Sequence, residues 1–301
     1  MNIASALDKF IMKKISVVLA TRNEEENIGP CLESVKGIAS EIVVVDEHST
    51  DRTREIAKSY GARVYQEPHH NIFHITKQKA MDYATGEWIL QLDADERVSP
   101  KLAEEIKTVI NLDREGLEEH DRKVGMNRIF VRHQRIIEER DGKVGTEGGE
   151  IVAFFIPRRN YFLGRAMKYA GTYPDGVIRL GKNGKVHLPA KSVHEQINIK
   201  GRVSWFENDL VHLSHPTFHK YMEGMNRYTS LTAAELQKAH VGLGVFTFLN
   251  YMFLKPFFVF LKLYFRYKGL LDMFPGFVWS LFSALHFPTA YLKYMESQKN
   301  G

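Results

Sequence analysis

Trp88–Arg97 reads WILQLDADER: an apolar run closed by Asp93 and Asp95, spaced i and i+2. A strand alternates its faces, so the two carboxylates would point one way and Ala94 the other. Carboxylates side by side repel, and each raises the other's pKa unless a positive group lies between them. A divalent cation meets that need, since Mg²⁺ takes one or two carboxylates and leaves its other positions to water and phosphate. The competing reading is a solvated strand end feeding a helix, with Asp as N-cap. Two aspartates alone do not choose between the two.

The neighbouring segments supply the context. KISVVLA (Lys14–Ala20) is a continuous β-branched apolar run, as in a buried parallel strand. TRNEEENIGPCLESVKGI follows as a turn and then a helix through Ile28, Leu32 and Val35. EIVVVDEHS (Glu41–Ser49) is a second buried strand ending in acids, and TDRTREIAKSYG a helix capped by Thr50 or Asp51 and stopped at Gly61. ARVYQEP reads as a third strand, HITKQKAMDYATG as a helix closed by Gly86, and Trp88 opens the fourth strand. This alternation predicts an α/β fold, an open and mostly parallel Rossmann-like sheet with right-handed crossovers and helices on both faces. Such sheets bind ligands at the carboxyl ends of their strands. Thr21–Glu24, Asp46–Glu47 and Asp93–Asp95 all fall there.

Beyond Ser99, expected to cap a helix with Pro100 in its first turn, the pattern loosens. GMNRIFVRHQ and GEIVAFFIPRRNYFLG read as strands of a mixed half-sheet, and DGVIRLGKNGKVHL as a hairpin turning at Asn183-Gly184. The expected organisation is an N-terminal extension over 1–13, a catalytic domain over 14–230 and a helical, amphipathic, membrane-associated region over 231–301.

The 301 residues are 44% hydrophobic and 26% charged, the composition of an ordinary globular protein. A single cysteine, Cys31, excludes an internal disulfide framework and fits a reducing compartment. No Cys/His spacing suits structural zinc. MNIASALDKFIMKK lacks the apolar core and cleavage site of a signal peptide, so a cytoplasmic location is expected. The net charge of +5 concentrates beyond Val241, where Lys255, Lys262, Arg266, Lys268, Lys293 and Lys299 face only Asp272 and Glu296. That tail is also the most aromatic part of the chain. With no nucleic-acid-binding signature present, a membrane surface is the expected partner of the tail rather than DNA or RNA.

In order along the chain, ISVVLATRNEEENI, IVVVDEHSTDRT, TKQKAMDYATGEWILQLDADE and, downstream, VHEQ followed by HLSH resemble the family 2 glycosyltransferases of GT-A fold. Within that family the chain is most similar to the bacterial group acting on lipopolysaccharide core and related glycans. The likeness runs roughly from Lys14 to Tyr228 and is looser in the tail. It implies that Thr21, Asn23 and Glu24 face the nucleotide, and that Asp46, with Glu47, faces base and ribose. Asp-Glu stands here where many relatives carry Asp-Asp or Asp-Ser, which leaves open which acid touches the base. Lys77 would lie near the diphosphate, with Gln78 beside it in place of a common Asn. Asp95 would ligate the metal directly, with Asp93 on the ribose or beside the metal. Glu195 of SVHEQ matches the family's base, the alternative being an ion pair with Lys191 or Lys200, and His194 its hydrogen-bonding neighbour. His212 would complete the metal or diphosphate site.

The chemistry such an enzyme needs matches these residues. A metal neutralises the leaving diphosphate as a Lewis acid, and hard oxygen ligands with one histidine suit Mg²⁺ or Mn²⁺ better than zinc. A base that takes the acceptor's proton contributes roughly 10²–10⁴-fold. Arg179 is a candidate clamp for an anionic acceptor or the diphosphate; Arg158 reads as a solvated hairpin arginine, and Arg227 with Tyr228 as a cover over the diphosphate. The expectation is an inverting, metal-dependent transferase using a UDP-sugar donor and a glycan or lipid-linked acceptor, on the inner face of the cell membrane. Its rivals are a polyprenyl-phosphate sugar synthase, which needs no strong base, and a non-catalytic sugar-nucleotide-binding scaffold. In the tail, fourteen charge-free residues end at Lys255-Pro256, short of the ~20 a bilayer span needs. Pro275, Pro288 and His286 interrupt the next apolar stretch, so helices lying in the interface are expected.

Overall fold

The computed structural model describes residues 13–70, 72–189 and 197–299. They fall into two compact units, Met1–Arg158 with Pro174–His212, and Arg159–Tyr173 with Leu213–Gly301.

The first unit is built on β1 (Ile15–Thr21), β2 (Glu41–Asp46), β3 (Arg63–Gln66), β4 (Trp88–Leu92) and β5 (Glu96–Val98). Later strands are β6 (Ile151–Phe162), β7 (Arg165–Ala166), β8 (Asp175–Lys182), β9 (Val186–His187), β10 (Asn198–Ile199), β11 (Arg202–Trp205) and β12 (Leu210–His215). The main sheet runs β3-β2-β1-β4-β8-β6-β12-β5, with β11 beside β6. The β3-β2-β1-β4 half is parallel, as the βα alternation predicts. β4–β8, β8–β6 and β5–β12 are antiparallel. Side-chain alternation then sorts the core. Val17, Leu19, Val44, Leu90 and Leu92 pack with Leu32, Ala57 and Ile106 on one face, while Val18, Val43, Val45 and Ile89 pack with Ala80 and Met81 on the other. Helices therefore cover both faces, as expected of strands apolar on every residue.

Three helices connect the parallel strands: α1 (Ile28–Val35), α2 (Thr53–Ser59) and α3 (Phe73–Asp82). α4 (Pro100–Ile110) begins as read, with Ser99 Oγ accepting from the Leu102 N–H at 3.2 Å. α5 (Arg114–Gly125) follows. GMNRIFVRHQ, expected as a strand, instead enters α6 (Arg128–Asp141). Asn127 caps it by accepting from the Ile129 N–H, and Phe130 and Ile137, seven apart, are its buried stripe. Two helical turns explain that spacing, whereas the short IFV run alone suggested period two. The Asn183-Gly184 turn forms, with Lys185 N–H donating to Lys182 at 3.0 Å, but β9 pairs with β10 rather than returning along β8.

Glu41 fastens the start of β2 to the loop ahead of β4. Its carboxylate accepts from Thr85 N–H (2.5 Å), Thr85 Oγ1 (2.9 Å) and the Ser16 hydroxyl, and pairs with Arg63 at 2.5 Å. Burial opposes ionisation, but these bonds outweigh it and bring the pKa from 4.5 to about 2. A carboxylate depressed on folding stabilises the protein above its unfolded pKa, and that contribution fades as pH falls through the folded value. Glu41→Gln should therefore cost about 3 kcal/mol at pH 7 and almost nothing near pH 2, measured by urea unfolding at both.

In the second unit β7 pairs antiparallel with the end of β6. α7 (Phe218–Lys238) is capped by Thr217. A continuous helical run then comprises α8 (Val245–Leu249), a π-helical turn, α9 (Lys255–Leu261) and a second π turn ending at Arg266. After a 3₁₀ turn, α10 (Met273–Lys299) closes the chain. Phe162, Tyr221, Trp279 and Phe282 form an aromatic core, and Tyr251 stacks on Tyr291 at 4.9 Å. An ideal Cβ on Gly276 would sit 1.9 Å from the Gly269 carbonyl oxygen, so only glycine permits that closure. The run continues past Pro256, which closely follows the π-helical turn Asn250–Leu254 where the hydrogen-bond register already changes. Pro288 sits inside α10, which continues past it. Val245–Arg266 and Gly269–Gln298 are thus each long and apolar enough to cross a membrane, by length and composition.

Candidate active site

β4 stops at Leu92, and Asp93–Asp95 form a turn into β5, closed by Glu96 N–H donating to the Asp93 carbonyl at 3.0 Å. Strand alternation therefore does not orient the two aspartates, and each finds its own partners. Lys77 Nζ lies 2.5 Å from Asp93 Oδ1, and the Arg179 guanidinium pairs with Asp93 Oδ2. Asp95 Oδ2 lies 3.4 Å from His212 Nε2. Burial disfavours the Asp93 anion, yet Arg179 and then Lys77 hold its carboxyl well below the usual range. For Asp95 burial is likewise outweighed, here by the hydrogen bond and charge of His212, and its pKa is lowered.

Glu96, absent from the sequence reading, is the hub beneath this turn. It is 0% exposed, accepts from the Asp93 N–H at 3.0 Å and binds Arg179 Nη2 at 2.8 Å. Arg179, 9% exposed, also donates to Gln91. Arg158, expected in solvent, is only 18% exposed; it pairs with Asp175 at 2.7 Å and with Glu96 at 3.5 Å. These pairs, and not solvent, fix its guanidinium within the cluster. The one sequence signal for Glu96 is its place immediately after Asp93-Ala94-Asp95. What makes it a hub is two arginines over sixty residues away.

At the same edge the loops after β1 and β2 clasp each other. Asn23 adopts a left-handed backbone (φ 54°), which Asn tolerates. Its N–H donates to Ser49 Oγ at 2.8 Å, and its Oδ1 accepts from Thr50 N–H at 2.9 Å. Glu24 N–H donates to Thr53 Oγ1 at 2.7 Å. Asp46, fully buried, accepts from Thr21 Oγ1 (3.2 Å) and Ser49 N–H (2.9 Å). Glu47 is buried against the Thr76 hydroxyl and His69 Nδ1, the latter at 2.6 Å, and so joins β2 to α3. Gln78 lies away from Asp93, accepting from Leu188 N–H at 2.7 Å and donating to Asp82 at 2.6 Å. Glu195, with His194 and Lys191, lies outside the described residues. Arg227 belongs to the second unit, where its guanidinium lies 5.0 Å from the Tyr228 ring centroid.

A divalent metal would fit at Asp95 and His212. Two adjacent ligands of an octahedral ion with bonds of about 2.1 Å lie about 3 Å apart, close to the 3.4 Å observed. Among the described residues no group of three or more His, Cys, Asp or Glu side chains gathers for a metal. Such an ion would complete its shell with water and ligand oxygens.

The half-parallel sheet thus carries clasped polar loops and an acidic turn on the carboxyl edge of its parallel strands, where open α/β sheets place their ligand sites. Residues 16–162, just under half of the chain, match the family model of Glycosyl transferase family 2. An uncharacterized glycosyltransferase of Rickettsia typhi is 42% identical over 98 residues, 33% of this chain and 33% of that protein. The chain thus spans about a third of the length of such curated relatives. Glucosyl-3-phosphoglycerate synthase from Mycobacterium tuberculosis, crystallised with Mn²⁺, UDP and glucosyl-3-phosphoglycerate, is 27% identical over 32% of this chain and 38% of that one, with a TM-score of 0.26. TarS 1–349 of S. aureus aligns over 96% of this chain and 92% of that one at 15% identity and a TM-score of 0.37.

Proposed function

We propose that the protein is an inverting glycosyltransferase that moves a sugar from a nucleoside diphosphate, UDP in our reading, to a glycan or lipid-linked acceptor in cell-envelope polysaccharide synthesis. The observation that supports it best is the acidic turn inside the family-matched segment, with Asp95 beside His212 and Asp93 held between Lys77 and Arg179. Mg²⁺ or Mn²⁺, when bound, supplies Lewis-acid charge to the diphosphate. Asp95 and His212 would hold it; Asp93 fixes the turn; Lys77 adds a cation for the leaving phosphate. Thr21, Asn23, Glu24 and Asp46 frame the nucleoside, and Glu47 braces that frame through α3. Glu195 takes the proton as the acceptor hydroxyl oxygen bonds to the anomeric carbon. The bond from that carbon to the diphosphate oxygen breaks with its electron pair, giving inversion in one displacement. The reading places the enzyme in the cytoplasm, peripheral on the inner membrane face.

The test is calorimetric titration of UDP into the protein with and without Mn²⁺. UDP should bind at least tenfold more tightly with Mn²⁺, and Glu195→Gln should keep that binding while losing transfer by about 10²–10⁴-fold. Absence of UDP and GDP binding in both conditions would overturn the reading.

A further inference from the structure

The helical run Val245–Arg266 is not buried anywhere along its most apolar window. Phe246, 89% exposed, begins a stripe that Leu249, Phe253 and Phe257 continue at helical spacing. Beside it Leu254 and Phe258 open a second line, which Lys262 and Arg266 extend at intervals of four. An apolar stripe that passes into cations fits an anionic lipid surface.

Both ends of the run are fastened within their own unit. At the start, the Tyr294 hydroxyl donates to the Val241 carbonyl at 2.6 Å. At the end, Ala170 N–H donates to the Tyr267 carbonyl at 2.9 Å, and Asp272 accepts from Tyr169 N–H at 2.8 Å. α10, against which α9 packs, also lies along α7, with Phe218 5.0 Å from Phe282 and Lys293 Nζ 2.7 Å from the Asn226 carbonyl. α7 carries exposed Lys220, Glu223 and Lys238. A charged helix along α10, and a polar segment bonded to the far end of the run, would both have to enter hydrocarbon if the helices crossed a bilayer, at several kcal/mol per charge. A second copy on the same face would bring Lys262, Arg266 and Lys268 toward cations of its own sign.

We propose that Val245–Arg266 lies in the plane of an anionic leaflet, its phenylalanine stripe among the acyl chains and Lys262, Arg266 and Lys268 at the phosphates. The proposal rests on the peripheral location given above and is independent of the donor chemistry. Cys31 is buried and its thiol pushed up to about 12, so it stays unlabelled near neutral pH. Bimane on Phe246→Cys, Phe257→Cys or Phe265→Cys, quenched by lipids carrying shallow or deep nitroxides, should report one shared depth of about 5–10 Å at all three sites. A deep Phe257→Cys probe between two shallow ones would mean a span and overturn the proposal. In co-sedimentation the wild type should bind vesicles containing phosphatidylglycerol at least tenfold better than pure phosphatidylcholine. Phe253→Ser/Phe257→Ser should lose that binding at least tenfold, and Lys262→Glu/Arg266→Glu should lose the anionic preference, with UDP titrations unchanged in both. Equal binding to both vesicle types overturns the proposal, as does dimerisation through this face without vesicle binding. Lost UDP binding in all proteins alongside intact vesicle binding would defeat only the donor reading.

Discussion

Asp95→Ala is expected to lower kcat/KM for a UDP-sugar by at least about 10³-fold, with nearly unchanged folding stability. The asymmetry follows from the partners of the two aspartates. Asp93 is held between Lys77 and Arg179 and keeps the turn in place, whereas Asp95 pairs with His212 alone among the described residues' ion pairs. If Asp95 holds a divalent ion as proposed, its removal takes one negative ligand away, and Lewis-acid stabilisation of a leaving diphosphate is worth several kcal/mol. The packing lost is one partly exposed carboxylate, at most about 1 kcal/mol. Manganese titration should show the metal's enhancement of UDP binding gone, while thermal unfolding moves little. Metal-enhanced UDP binding that survives in Asp95→Ala would refute the assignment.

Glu96→Ala should do the opposite, costing about 3–5 kcal/mol of stability. Arg158, Arg179 and Lys77 balance Glu96, Asp93 and Asp175 in a largely buried network. Deleting the carboxylate that pairs with both arginines leaves a buried positive charge uncompensated, and it leaves the Asp93 N–H without its carboxylate acceptor. Glu96→Leu with Arg179→Met should recover much of the stability, because a neutral pair of similar volume removes the charge imbalance. It should not recover transfer, since Asp93 then lacks Arg179. Urea unfolding of the single and double variants measures the coupling; a Glu96→Ala loss below about 1 kcal/mol would sink the argument.

The parallel half of the sheet was legible in the sequence because each of its strands is a short apolar run closed by polar residues. Ile15–Thr21, Glu41–Asp46 and Trp88–Leu92 end where the runs end. Local chemistry also exposed Ser99 and Pro100 as a helix start. What stayed hidden depends on distant pairing. Glu96 becomes a hub only because β8 and β6 bring Arg179 and Arg158 to it, and nothing near residue 96 encodes those strands. Asn127 and the Phe130–Ile137 interval mark α6, but the adjacent β-branched residues of IFV mimic a strand over the same window. Gln78 follows Lys77 in the chain but bonds to Leu188 and Asp82 rather than to Asp93, since consecutive side chains on a helix diverge by about 100°.

The pairing of β5 with β12 sets Leu210, Val211 and His212 against Val98, Arg97 and Glu96. Asp95 and its histidine thus come from opposite ends of a long loop in the chain. During synthesis the acidic turn emerges well before its imidazole partner, and the parallel half can fold before Asp95 meets His212. Closing so distant a pair is slow relative to local helix formation. On the proposed reading, Mn²⁺ affinity would therefore appear only after β5 and β12 have paired, and its onset would offer a clock for maturation of the first unit.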